Sequence, residues 1–201
     1  MTSTEATIDI QDAIAAGFDA FALNLPSTDS WATDAVSDLF AAASGTSFKL
    51  FFSFDMTRFS DPSQFLPILE QYVANESYYL QDGRPFVSTY KGGTLTFGQS
   101  DVNTGWDMDF RQPLVQRGVE PFFVPDFDDV SGYPSAFFDT FTVVDGAFSW
   151  ESAWPEAGQG RVNVSDSIDQ SALQEARAAG KVYMMRTFCF PAGQLCIQVT
   201  P

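Results

Sequence analysis

With 201 residues the chain suits a single domain with ample material for a core, though it is short beside the roughly 250 residues of a complete (β/α)8 barrel. Ten Lys+Arg against 26 Asp+Glu leave a net charge of −16, and no basic cluster exists to neutralise a phosphate backbone or an anionic bilayer; nucleic acid and membrane are therefore excluded as expected partners. Histidine is absent, which excludes Ser-His-Asp and Cys-His nucleophilic schemes and histidine-based metal sites.

Ile8–Ala16 is predicted to open the fold as a helix, with Gly17 at its C-cap. Phe18–Asn24 follows as a strand, and a helix is expected over residues 31–43 with Ser30 as N-cap. Phe48–Asp55 is the longest apolar run and reads as the second strand. Ser60-Asp61-Pro62 starts another helix, whose apolar side carries Phe65, Leu69 and Tyr72. Pro85–Lys91 is the third strand, with Gly92-Gly93 turning beyond it. A helix over 104–117 leads to the run Pro121–Asp128, and a short helix over 134–141 leads to the run Gly146–Glu151. Ile168–Ala179 is a helix and Val182–Met185 a sixth strand, whereas 186–201 shows no useful periodicity.

Short continuous runs rich in Phe and Val read as strands buried on both faces, and their alternation with helices predicts a parallel α/β sheet or barrel. In such folds ligands sit beyond the carboxyl ends of the strands, where Asn24, Asp55, Asp126, Asp128 and Glu151 would converge. Asp55, among aromatics, either works on protons and sugar hydroxyls or caps the next turn. Alternation points Asp126 and Asp128 to one side and Asp129 away, giving an acid/base pair, a cation site, a sugar-binding pair or a solvated turn. Trp150 beside Glu151, with Trp154 close by, suits stacking on the C–H face of a sugar, the alternative for Trp150 being core packing. Asn24 either orients a ligand hydroxyl or caps the turn before Pro26.

Cys189 and Cys196 are close enough in sequence for a small disulfide loop but give no metal framework. The first residues are polar and carry no apolar signal-peptide core, while Asn75-Glu76-Ser77 and Asn163-Val164-Ser165 are glycosylation sequons, weak signs of a secretory origin.

Ala16-Gly17-Phe18-Asp19-Ala20-Phe21-Ala22-Leu23-Asn24, Phe51-Phe52-Ser53-Phe54-Asp55-Met56, Arg84-Pro85-Phe86-Val87-Ser88-Thr89, Phe122-Phe123-Val124-Pro125-Asp126-Phe127 and Gly146-Ala147-Phe148-Ser149-Trp150-Glu151 together resemble fungal glycoside hydrolase family 71, the endo-α-1,3-glucanases or mutanases. The resemblance covers about residues 5 to 185. It implies a secreted, inverting enzyme of a (β/α)8 barrel, acting on α-1,3-glucan through two carboxylates without metal or organic cofactor. Asp55 matches a family aspartate thought to support catalysis. The late family motif Trp-Asn-Asp-Tyr-Gly-Glu does not occur in this sequence. The resemblance therefore implies a partial barrel of about six βα units over 1–185, its first and eighth strands missing, followed by an irregular tail over 186–201. The chain as written is then expected to turn over little glucan, or to be a non-catalytic glucan-binding remnant. Its first and last strands are expected to be bare, aggregation-prone edges.

Overall fold

The computed structural model describes residues 1–150, 165–188 and 195–200, the last six and residues 186–188 by their backbone. Helix α1 (Ser3–Ala15) opens on a capping box in which Thr2 and Glu5 satisfy each other's backbone N–H groups. Its buried stripe, Ala6, Ile10 and Ala13, is followed by Gly17 at φ 84, a left-handed turn suited to glycine. Strand β1 (Ala20–Leu25) leads to α2 (Ser30–Ala43), whose N-cap is Asp29 rather than Ser30. Strand β2 (Lys49–Asp55) is followed by a 3-10 turn (Pro62–Gln64) and α3 (Leu66–Tyr72), so the helix expected from Pro62 is divided. A two-residue strand β3 (Leu80–Gln81), not anticipated from the sequence, forms a hairpin with β4 (Arg84–Tyr90).

The helix expected over 104–117 is broken into α4 (Val102–Trp106), a π-turn (Asp107–Arg111) and α5 (Gln112–Val115). Pro113 cannot donate to the carbonyl one turn back, which accounts for the wide turn before it. Strand β5 keeps its regular pattern only over Phe122–Phe123. Beyond it the backbone still follows β4, Val124 N–H donating to Val87 O at 2.9 Å and Asp126 N–H to Thr89 O at 2.9 Å. Pro125 between them faces β6, and its missing N–H leaves the pairing on that side one donor short. Helix α6 (Phe137–Thr140) is shorter than expected because Ala136 is left-handed at φ 54. Strand β6 (Gly146–Ser149), α7 (Ser167–Ala179) and β7 (Val182–Phe188) complete the repeating pattern.

Strands β1, β2, β4 and β5 are parallel neighbours, as are β6 and β7. Asp145 N–H donates to Phe123 O at 2.7 Å and Phe148 N–H to Pro125 O at 2.9 Å, carrying the sheet from β5 to β6. The residues after Met185 depart most from expectation. β7 continues to Phe188, and Leu195–Thr200 forms β8, antiparallel to β7 along six residue pairs and meeting β1 at Phe21↔Cys196. The edges of β1 and β7 expected to be bare are joined through this strand.

The contacts assign the faces. Phe52 and Phe54 point outward, Phe52 to Phe40 and Tyr72 and Phe54 to Phe65, on α2, α3 and the turn before α3. Phe51, Ser53 and Asp55 therefore face the interior, where the Phe51 and Phe86 rings meet edge-on at 4.8 Å. At the foot of the strands Arg84 binds Asp145 through two hydrogen bonds of 3.0 and 2.8 Å, and Asp145 also accepts from Phe123 N–H at 3.0 Å.

Candidate active site

Strand register builds the site in two rungs. Asn24↔Ser53 and Ser53↔Ser88 place these three residues on one interior level. One level nearer the carboxyl ends, Asp55↔Tyr90 and the bridge Tyr90↔Asp126 align two carboxylates on either side of a phenol. Two interstrand spacings separate the Asp55 and Asp126 backbones, about 10 Å. The Trp150 ring lies 4.7 Å from the Tyr90 ring and 5.9 Å from Phe148, so the indole closes the same level from β6.

Asp55 is half-buried, and its Oδ1 accepts from Thr57 N–H at 2.9 Å and from the Thr57 hydroxyl at 2.6 Å. That oxygen stabilises the turn leaving β2. Asp126 is 0 % exposed, and its Oδ2 has no hydrogen-bond partner among the described residues. Its Oδ1 accepts from Asp128 N–H at 3.4 Å. Burial, and then the nearby Asp128 carboxylate, push the Asp126 carboxyl well above the ordinary range. The structure thus brings Asp126 and Asp128 together, while Asp129 turns away to accept from Gly93 N–H at 3.1 Å.

Lys91 is the partner that sequence reasoning missed. Its Nζ donates to Asp128 Oδ1 at 2.9 Å and lies 5.3 Å from the Tyr90 ring centre. Burial is the largest single influence and opposes its charge, but the bond to Asp128 together with the charges of Asp128, Asp126 and Tyr90 holds the ammonium above its usual range. In sequence Lys91 is only the polar end of an apolar run; the signal that could have found it is a lone cation before Gly92-Gly93, in a chain with few of them. Those glycines serve close packing. A Cβ on Gly92 would lie 2.9 Å from the Trp106 ring, and one on Gly93 2.9 Å from Asp129 Oδ1.

Tyr133 was missed as well. Its hydroxyl is buried without a partner among the described residues, near enough to Asp126 and Asp128 for their charges to raise its pKa further after burial has done so. Ser53 Oγ, on the rung below the carboxylates, is a third buried polar atom without a partner. Native interiors pair nearly all such groups; Arg84 Nε at the foot of the strands is a fourth, while the other three lie toward the carboxyl ends and point to solvent or ligand chemistry there. Asn24 is exposed at the end of β1, on the interior face but away from the acidic pair. Glu151 and Trp154 lie outside the described residues. Among the described residues no cluster of His, Cys, Asp or Glu is arranged to hold a metal; beside Asp128 the cation is Lys91.

Solved structures of an endo-α-mannosidase of family GH99 from Bacteroides thetaiotaomicron share the fold. One matches with a TM-score of 0.65 at 14% identity, over 90% of this chain and 52% of its own. Another, in complex with bis-tris-propane, matches with a TM-score of 0.64 at 16% identity. In sequence the chain is 41% identical over 181 residues to the glucan endo-1,3-alpha-glucosidase agn1 of Schizosaccharomyces pombe, covering 88% of this chain. It is 32% identical over 180 residues to the ascus wall endo-1,3-alpha-glucanase of the same yeast, and 29% identical over 153 residues to a mutanase of Penicillium rubens, covering 75% of this chain. The chain spans 40% of the length of each yeast relative and 30% of the mutanase. Glycosyl hydrolase family 71 matches residues 1–189, nearly the whole sequence, and the chain belongs to that family.

Proposed function

We propose that the mouth of the sheet binds α-1,3-glucan and supplies the substrate-holding part of an inverting glycosidase. The observation that carries this reading is the rung Asp55–Tyr90–Asp126, flanked by Trp150 and by the Asp128–Lys91 pair. Carboxylates and an ammonium take sugar hydroxyls, and aromatic rings take the apolar C–H faces. The names of the relatives, glucan endo-1,3-alpha-glucosidase and endo-1,3-alpha-glucanase, support this substrate class.

Asp55 is the carboxylate that reaches solvent, and it acts in catalysis. Asp128 holds substrate hydroxyls together with Asn24, Trp150, Glu151 and Trp154, and Asp126 supports it from behind by accepting from the Asp128 N–H. An inverting pair stands about 6.5–9.5 Å apart with room for a water between. The spacing of about 10 Å between the Asp55 and Asp126 backbones is of that scale. Asp126 is nevertheless sealed from solvent, so it positions rather than touches the scissile bond. The family's Trp-Asn-Asp-Tyr-Gly-Glu motif does not occur in residues 1–201, so these residues alone bind glucan and turn it over little. The setting is extracellular, at fungal walls, as the ascus-wall relative suggests. Among the described residues no helix is long and apolar enough to cross a membrane.

Calorimetric titration with soluble α-1,3-glucooligosaccharides, run beside a reducing-sugar assay, tests both halves. Saturable binding that Trp150→Ala weakens, with sugar release near background, is the expected result. No binding removes the glucan reading, and brisk release removes the claim of low turnover.

A further inference from the structure

The segment from the end of β1 into α2 carries three side chains that the fold does not use. Asn24 makes no side-chain hydrogen bond among the described residues and is exposed. Asp29 stands at the N-cap of α2, where an aspartate ordinarily accepts from the first helical N–H groups, yet its carboxylate makes no cap bond. Trp31 is 61% exposed, although α2 buries Ala32, Val36, Leu39, Phe40 and Ala43. An indole offers more apolar area than other side chains and is highly buried on average, so leaving this one in water forgoes a large hydrophobic gain.

Placement gives the exposure a direction. The loop from Leu25 to Ser30 leaves the carboxyl end of β1, so Asp29 and Trp31 lie at the same end of the strands as Asp55 and Asp126. Asn24 is three interstrand spacings from Asp126, roughly 14 Å along the sheet. A ligand touching both ends must be a chain of several sugar units.

We infer that Asp29 and Trp31, with Asn24 at the strand end beside them, form an outer subsite for the glucan chain. The indole stacks on the C–H face of a glucosyl unit, and the Asp29 carboxylate and Asn24 amide take its hydroxyls. The inference rests on the glucan reading of the mouth and extends it to a distant unit of the same chain.

Titration of the full chain with α-1,3-glucooligosaccharides of two to eight units tests it. Trp31→Ala is expected to lower affinity about ten-fold for the longest oligosaccharides and to leave the shortest unchanged. Trp31→Tyr should restore most of the loss, and Trp150→Ala should weaken every length. Unaltered circular dichroism and melting of Trp31→Ala would exclude a folding defect; should that variant unfold, Asp29→Ala carries the same length test. If the unsubstituted chain binds and Trp31→Ala matches it at all lengths, the outer subsite is wrong and the mouth stands. If the unsubstituted chain binds no length, the mouth reading fails and takes this extension with it.

Discussion

Asp126 holds a proton that the unfolded chain would release, because burial and the neighbouring Asp128 disfavour its charge. Between the ordinary carboxylate range and the raised folded value, the native state binds more protons than the unfolded state. Stability in that window therefore falls as pH rises. Asp126→Asn removes this titration while keeping the shape. Melting curves across pH should show the variant gaining on the parent as pH increases, and a constant difference would refute the assignment. Lys91→Met leaves the Asp128 carboxylate without its cation and should cost about 2 kcal/mol in denaturant unfolding at neutral pH. The acidic residues themselves were legible in the sequence, because each closes an apolar run. Their states were not. The proton on Asp126 answers to its complete burial and to Asp128, with Lys91 opposing, and strand alternation carries no information about how deeply a carboxylate is covered.

At the scale of elements, strands with both faces buried were the easiest to read. Phe48–Asp55 and Pro85–Lys91 are nearly continuous apolar runs; β2 falls within the first, and β4 begins one residue ahead of the second, at Arg84. Shorter or half-covered elements escaped. Leu195–Thr200 alternates apolar and polar residues for only six positions, and antiparallel pairing with β7 gives the segment its strand form. The broken helix over 102–115 was hidden for another reason: Gly105 and Pro113 act through neighbours that local periodicity ignores. A Cβ on Gly105 would stand 2.5 Å from Thr96 O, so the glycine lets the loop after β4 lie directly on α4. Gly105→Ala would raise helix propensity in isolation, yet here it should destabilise by about 2 kcal/mol, since backbone must move. Chemical denaturation would distinguish the two signs.

Across the whole molecule the two ends of the parallel strands divide the work. At the foot, Arg84 and Arg111 meet Asp145, which also accepts from Phe123 N–H, tying β4, β5 and the approach to β6. Asp145→Ala would take the less exposed of two shared carboxylates from Arg84 and Arg111, leaving them Glu120, and would strand a backbone donor; it should cost about 3 kcal/mol without altering glucan affinity in the folded fraction. At the other end stand the carboxylates, the aromatic rings and the unpartnered oxygens of Asp126, Tyr133 and Ser53. Joining these regions around the sheet, β8 covers what would be the adhesive edges of β1 and β7. A chain stopped after Phe188 is expected to form soluble aggregates, detectable by light scattering, where the full chain stays monodisperse.

The direction of β8 also governs how the protein can be handled. Because Thr200 pairs with Tyr183, near the start of β7, the chain is back at the foot of the sheet at Thr200. A linker joined directly after Thr200 would leave from the side opposite the carboxylates. Tethered to a bead or sensor chip through that linker, the molecule would present its mouth outward, open to a polymer too large to pass beneath it.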